Sequence, residues 1–401
     1  MKSKLALYGG DRIKKKPFPP RRAFHEAHLK AVKEVFNYYK KAGVDFGYQG
    51  EFEKRYTQEF AEWLGGGYAD AVNTGSGAVF VALAALGLKP GSEVLVSPIS
   101  DPGTYNAVVM NRLTPKLMDS AEMNYNVGVK QFSSRINERT KAVLIVHATG
   151  KACPIEEIAQ IARERKIFVV EDCSQAHGAK CHGRYVGTFG DIAAFSTMYR
   201  KNHCSGGCGG LVFTKDLNLH QMARAHADRG KPYWIEGFDE KNPNQFLFPA
   251  MNFNQDEVSC AIGLASLKEL EETNHTRREF LRYLHSRLIL QSRVCRFPEI
   301  TDSDAPFFQP IMVDVKKLNC TKLEFAKAVQ AEGISINPHY QYLAQNWPYL
   351  KSHWADDFQC SNAEEMLNHS LNLLFHEGYT TANANDIVRA IVKVESVLAL
   401  P

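Results

Sequence analysis

Apolar positions in the first part of the chain recur at helical spacing. Leu29, Val32, Val35 and Phe36 share one side of a predicted helix, and a second helix is predicted from Phe52 to Leu64. From Tyr68 the rhythm changes to short apolar runs alternating with helical stretches, the pattern of a mostly parallel sheet. Seven runs read as strands: 68–72, 93–97, 116–118, 142–147, 167–171, 192–195 and 211–214. Helical spacing returns at Ala261, Leu264, Leu267 and Leu270 and continues to about Leu290. A strand-like Phe307 to Val313, a helix from Lys322 to Gln330 and a closing helix from Ala384 to Leu398 suit a smaller α/β unit. The expected organisation is an N-terminal arm (1–25), a large domain (26–275) and a small C-terminal domain (276–401).

Composition narrows the class. The chain has 401 residues, 44% apolar and 23% charged, which fits a soluble globular enzyme. A formal charge of +4, with the signs well mixed, argues against a dedicated nucleic-acid binder and leaves room for an anionic small substrate. The basic run Lys14-Lys15-Lys16 in the arm is short. Nine cysteines without a repeating spacing indicate a reducing compartment. No stretch reaches the ~18 apolar residues that span a membrane, and the N-terminal apolar segment is too short for a signal peptide. A cytoplasmic protein, bound to neither membrane nor nucleic acid, is expected.

The chemistry concentrates between Phe168 and Thr214. The apolar run Ile167 to Val170 ends on Glu171 and Asp172, which places a carboxylate at the carboxyl edge of a parallel sheet, where open α/β folds bind ligands. Ser196 ends the next strand-like run, and Lys201 follows in the loop. The segment Glu171-Asp172-Cys173-Ser174-Gln175-Ala176-His177-Gly178-Ala179, then Gly183 to Asp191, Phe195-Ser196 and Lys201, resembles the signature of the DegT/StrS-type sugar aminotransferases. The resemblance runs from about residue 45 to the C-terminus. It implies a pyridoxal 5′-phosphate-dependent transferase of fold type I, with a large domain built on a seven-stranded, mostly parallel sheet and a smaller α/β C-terminal domain.

Carried over by residue, the resemblance makes Lys201 the catalytic lysine that bonds to the cofactor. It puts Asp172 at the pyridine nitrogen, Gln175 beside the 3-oxygen and Ser196 at the phosphate. Each residue type suits its place: a fixed carboxylate favours the protonated ring nitrogen, and a buried amine loses its proton readily. Gly75 and Ser76, in the Gly-rich strand-to-helix turn Asn73 to Phe80, occupy the family's phosphate cradle, where freed backbone amides bind anions. Asn252 matches an asparagine that reaches the phosphate of the other subunit's cofactor, which implies a homodimer with shared active sites. The family's arginine nearby is Asn254 here.

Three further residues are candidates for the substrate side. The family places an aromatic ring over the cofactor near residues 101–102; this chain has Asp101-Pro102 there, and Tyr105 is the nearest ring, either core or contact. His147, at the end of the fourth strand, either binds substrate or is held by backbone. His339 lies in Asn337-Pro338-His339-Tyr340, near the family's substrate-side segment. His203, Cys204 and Cys208 lack the paired spacing of a zinc site, so no metal is expected.

The resemblance implies amino transfer from L-glutamate or glutamine to a keto-sugar nucleotide or related keto-cyclitol. The alternatives are a sugar 3-dehydratase of the same family, whose members carry histidine in place of the lysine, and a non-catalytic cofactor-binding regulator. Lys201 sits on the expected register and His203 lies beyond it, which favours the aminotransferase.

Overall fold

Residues 4–338 and 340–400 are described by a computed structural model. Along the first half run helices α1 (Glu26–Ala42) and α2 (Glu51–Trp63), then β1 (Tyr68–Val72), α3 (Gly75–Ala85), β2 (Glu93–Val96), α4 (Pro102–Met110) and β3 (Thr114–Leu117). There follow α5 (Val129–Arg135), β4 (Thr140–Val146), α6 (Ile155–Glu164) and β5 (Phe168–Asp172). A short hairpin, β6 (Lys180–Cys181) and β7 (Arg184–Tyr185), precedes β8 (Ile192–Ser196), β9 (Gly210–Thr214) and α7 (Leu217–Ala227). The central sheet has seven strands in the order β1-β9-β8-β5-β4-β2-β3. Neighbours from β8 to β3 pair parallel, and β9 alone runs against its neighbours.

Helices cover both faces, so the inner strands are apolar throughout rather than alternating. After its exposed first residue, β5 is buried to its end, and β8 and β9 are buried over their whole length. The edge strand β3 begins earlier than the sequence pattern suggests and takes in Pro115, which an edge position tolerates. Because β1, β4, β5 and β8 point the same way, their carboxyl ends share one edge of the sheet. Asp172 and Ser196 end β5 and β8 there, and the turn after β1 brings Gly75 to the same edge.

The 35-residue helix α8 (Glu257–Gln291), about 50 Å long at 1.5 Å per residue, links the two halves of the molecule. Asp256 caps its first turn by accepting from the Ser259 amide. Its N-terminal part packs on α1 and α2, and its C-terminal part packs on the last helix. The division expected after residue 275 therefore falls inside a continuous helix.

Beyond α8 come β10 (Cys295–Arg296), β11 (Gln309–Val313), α9 (Lys322–Ala331), β12 (Ile336–Asn337), α10 (Ser361–Asn368), β13 (Ser370–Leu373) and α11 (Thr381–Leu398). The four strands form an antiparallel sheet, β10-β11-β13-β12. The N-terminal arm is packed on this unit. Leu5 is fully buried in its core, and the Glu332 carboxylate accepts from the amides of Ala6 and Ile13.

Candidate active site

The carboxyl edge of the central sheet opens into a cavity of about 880 Å³, walled on the far side by residues of the second unit. Gly75, Ser76, Asp172, Gln175, Ser196 and Lys201 all line it. Sheet register and one loop bring together six residues spread over more than a hundred positions.

Asp172 is held at both oxygens. Oδ2 accepts from the Thr104 hydroxyl at 3.1 Å and Oδ1 from the Ser174 amide at 3.1 Å. Since the Thr104 proton is used on Asp172, the Ser100 hydroxyl, 2.7 Å away, donates to Thr104. The chain of hydroxyls fixes the carboxylate's orientation before any ligand arrives.

Lys201 is buried, and its ammonium lies 4.4 Å from the centre of the Phe307 ring. Burial lowers the amine to about 8, although the carboxylates of Asp172 and Asp101 favour its charged form. An amine with that value exists partly as the free base near neutral pH, the form that attacks a carbonyl.

The phosphate candidates meet across a close approach. A Cβ at position 75 would stand 2.7 Å from Ser196 Oγ, so only glycine leaves the first turn of α3 open there. Thr74 caps that helix by accepting from the Gly77 amide at 2.9 Å. The amides of Gly75 and Ser76 are left at the helix N-terminus beside the hydroxyls of Ser76 and Ser196. The Ser196 amide is held in turn by Ser174 Oγ at 3.0 Å. Carboxylate, buried amine and anion cradle on one cavity wall fit the ring nitrogen, aldehyde and phosphate of pyridoxal 5′-phosphate.

Comparison with known proteins agrees. Residues 29–392 match the model of the DegT/DnrJ/EryC1/StrS aminotransferase family. The chain belongs to that family. It is an aminotransferase, and its cofactor is the family's pyridoxal 5′-phosphate. Among similar proteins, the GDP-perosamine synthase of Caulobacter vibrioides is 30% identical over 86% of this chain and 90% of its own length. A putative L-glutamine:3-amino-2,3-dideoxy-scyllo-inosose aminotransferase of Streptoalloteichus tenebrarius is 26% identical over 98% of both chains. The crystal structure of an aminotransferase from Psychrobacter cryohalolentis superimposes with a TM-score of 0.85 at 24% identity, covering 95% of this chain and 98% of that one.

Not every candidate from the sequence reaches the cavity. Tyr105 is fully buried and packs edge-on against Trp347 and Trp354, with its hydroxyl on the Ser97 carbonyl at 2.9 Å. It is a core residue rather than a substrate contact. His147 is also fully buried, and both of its nitrogens are used. Nδ1 accepts from the Cys153 amide at 3.0 Å, so Nε2 donates to Glu171 at 3.1 Å. Burial alone would raise the Glu171 carboxyl, but His147 and the amides of Gly187 and Gly190 hold it below the usual carboxylate range. The pair braces the back of the site and does not face substrate.

Gln175 accepts from the Thr149 amide at 3.0 Å and shares the cavity wall with Tyr340. Asn252 is exposed and outside the cavity, its Oδ1 accepting from Asn254 Nδ2 at 2.8 Å. His339 lies outside the described residues. His203 Nε2 donates to the Gly263 carbonyl at 3.1 Å and lies 3.1 Å from the Tyr56 hydroxyl deep in the large unit, and Cys204 packs on Ser266. Only Cys208 of that trio lines the cavity.

The structure also supplies residues the sequence did not single out. Thr104 and Ser100 orient Asp172, Ser174 ties Ser196, and Phe307 and Tyr340 wall the cavity. The one available signal was a pair of hydroxyls just before and inside an otherwise apolar helical turn.

Proposed function

We propose that this protein transfers the amino group of L-glutamate or glutamine to a keto group on a nucleotide-linked sugar or a related cyclitol. The observation that carries the reading is the buried amine of Lys201 sharing one cavity with the Asp172 carboxylate. The sugar rests on relatives of both kinds, one named for a GDP-sugar product and one for an amino-inosose substrate.

When bound, pyridoxal 5′-phosphate supplies an electron sink and a carrier for the amino group. Asp172 holds a proton at the ring nitrogen, fixed there by Thr104 and Ser174. The amides of Gly75 and Ser76 and the hydroxyl of Ser196 bind the phosphate. Gln175 orients the 3-oxygen side. Lys201 Nζ would hold the cofactor, and as a free amine would carry a proton to and from the substrate carbon that bears nitrogen. Phe307, Phe308 and Tyr340 limit water at that carbon.

Asn252 has no role inside its own cavity. It is exposed beside Met251 (68% exposed), and Leu247 nearby is 45% exposed, an apolar surface suited to a second copy that receives the asparagine. All nine cysteines are free thiols, which supports a cytoplasmic setting. The large unit up to α8 and the small unit after it serve as the two walls of the site. The dehydratase reading requires histidine in the place of the lysine; Lys201 lines the cavity, and His203 is buried against Tyr56 instead.

The test is spectroscopic. Protein loaded with cofactor should lose its visible band on adding L-glutamate and regain it on adding the correct keto-sugar. A band indifferent to every amino donor would overturn the aminotransferase reading.

A further inference from the structure

Lys201 is gripped by segments far from it in the sequence. Arg21, in the N-terminal arm, donates Nη2 to the Lys201 carbonyl at 2.9 Å and Nη1 to the Tyr199 carbonyl at 2.7 Å. Its third donor, Nε, goes to Oε1 of Glu377 at 2.8 Å. The other oxygen of that carboxylate accepts from Nε and Nη2 of Arg277 on α8, at 3.0 and 2.8 Å. Arg277 Nη1 then reaches Asn202 Oδ1 at 2.6 Å, and Asn202 Nδ2 donates to Asn274 at 2.8 Å. The peptide that carries the lysine is therefore held at its carbonyl by one guanidinium and at the next side chain by another. A single carboxylate joins the two.

The arm that delivers Arg21 is itself pinned. Phe18 stacks on Tyr379 with ring centres 4.7 Å apart, and the Pro19 carbonyl accepts from His376 Nε2 at 3.0 Å. Burial would raise Glu377, yet Arg277 and Arg21 hold it down at about 2, so the bridge stays charged across the working range. Arg277 is 1% exposed, and Glu377 partners both guanidiniums, which leaves neither cation buried alone.

We infer that Arg21 is a positioning residue for the catalytic lysine, acting with Glu377 and Arg277 as a clamp that aims Nζ into the cavity. The inference rests on the reading that Lys201 carries the cofactor. A planar guanidinium can satisfy two carbonyls and a carboxylate at once in fixed geometry; an ammonium on a flexible stem cannot. The arm thereby becomes part of the active site without touching the reacting atoms.

The experiment compares Arg21→Ala and Arg21→Lys with the parent chain, full length. Amide hydrogen exchange of the cofactor-free protein is read by peptide. The clamp predicts exchange at least about tenfold faster in residues 199–205, with peptides of β4 and β5 unchanged. In the loaded enzyme kcat should fall about 10–100-fold, the cost of a misplaced reacting group. Arg21 lines the cavity but spends its donors on Glu377 and the Tyr199 and Lys201 carbonyls, so the KM for glutamate should move by less than about twofold. Arg21→Lys should recover only part of both. Should Arg21→Ala fail to fold, Glu377→Gln gives the same local loosening by removing the shared charge. Unchanged exchange in 199–205, or a uniform rise over the whole chain, overturns the clamp. Lys201→Ala keeps the two readings apart: a surviving visible band would sink the cofactor assignment, whatever Arg21 does.

Discussion

The hydroxyl of Thr104 donates to Oδ2 of Asp172 across 3.1 Å, from the first turn of α4 to the last residue of β5. The sequence separates them by 68 positions, and nothing local to Thr104 marks it as the partner of Asp172. Replacing Thr104 by Val keeps the shape and deletes the donor. The buried carboxylate then keeps only the Ser174 amide, and its aim at the cofactor nitrogen loosens. Cofactor affinity should drop about tenfold, the weight of roughly 1–2 kcal/mol for a hydrogen bond to a charged group, while Thr104→Ser stays close to the parent. Equilibrium titration with pyridoxal 5′-phosphate, followed by fluorescence, measures both.

Gly75→Ala should cripple phosphate binding and leave the fold intact. The added methyl meets Ser196 at the cradle and cannot be relieved by a flexible side-chain tip. The expected result is at least a tenfold weaker hold on pyridoxal 5′-phosphate, about 1.4 kcal/mol or more, with the affinity for phosphate-free pyridoxal unchanged. Equal losses for both ligands would show that residue 75 does not face the phosphate.

The Lys201 amine gives a pH signature in the cofactor-free protein. Its folded value of about 8 lies below the ordinary lysine value of 10.5, so between those values the unfolded chain binds more protons than the folded one. Stability contributed through this group therefore rises as pH climbs from about 8 to about 10.5. Below 8 the folded state bears the whole cost of the buried charge, on the order of 3 kcal/mol. Lys201→Met should stabilise the cofactor-free protein at pH 7 and flatten that alkaline slope. Urea unfolding at a series of pH values reads both effects.

The proposal that two copies share their active sites makes a prediction that needs no structure of the dimer. Lys201→Ala and Asn252→Ala chains should each be nearly inactive as pure proteins. Mixed in equal amounts and allowed to exchange, they should recover about a quarter of parental activity, since half of the dimers carry one intact site. Recovery of none would place Asn252 outside the neighbouring site.

The strands and the residues that meet at the cavity were readable because each is announced locally. A fully apolar run that stops at Asp172, a glycine turn opening α3, and a lysine a fixed distance past a buried strand are properties of neighbouring residues. Tyr105 shows where such reading stops. Its ring drew notice, but on α4 successive residues point about 100° apart, so Thr104 faces Asp172 while Tyr105 turns into Trp347 and Trp354. His147 stayed open between two readings for a related reason: a histidine at a strand end has no visible direction until the pairing of β4 with β5 sets it beside Glu171.

The chain by itself thus determined the sheet, because buried strands and glycine turns are written in consecutive residues, while the cofactor and the proposed amine came through its likeness to the DegT/StrS-type signature. Only the tertiary structure decided which side chains orient those groups. Arg21 and Glu377 stand 356 positions apart, and Arg277 and Glu377 stand 100 apart. Nothing in the local sequence marks any of the three, since a charge looks the same whether it ends in water or against another charge. The folded chain had to bring the arm, α8 and the loop before α11 to one point before the clamp on Lys201 existed.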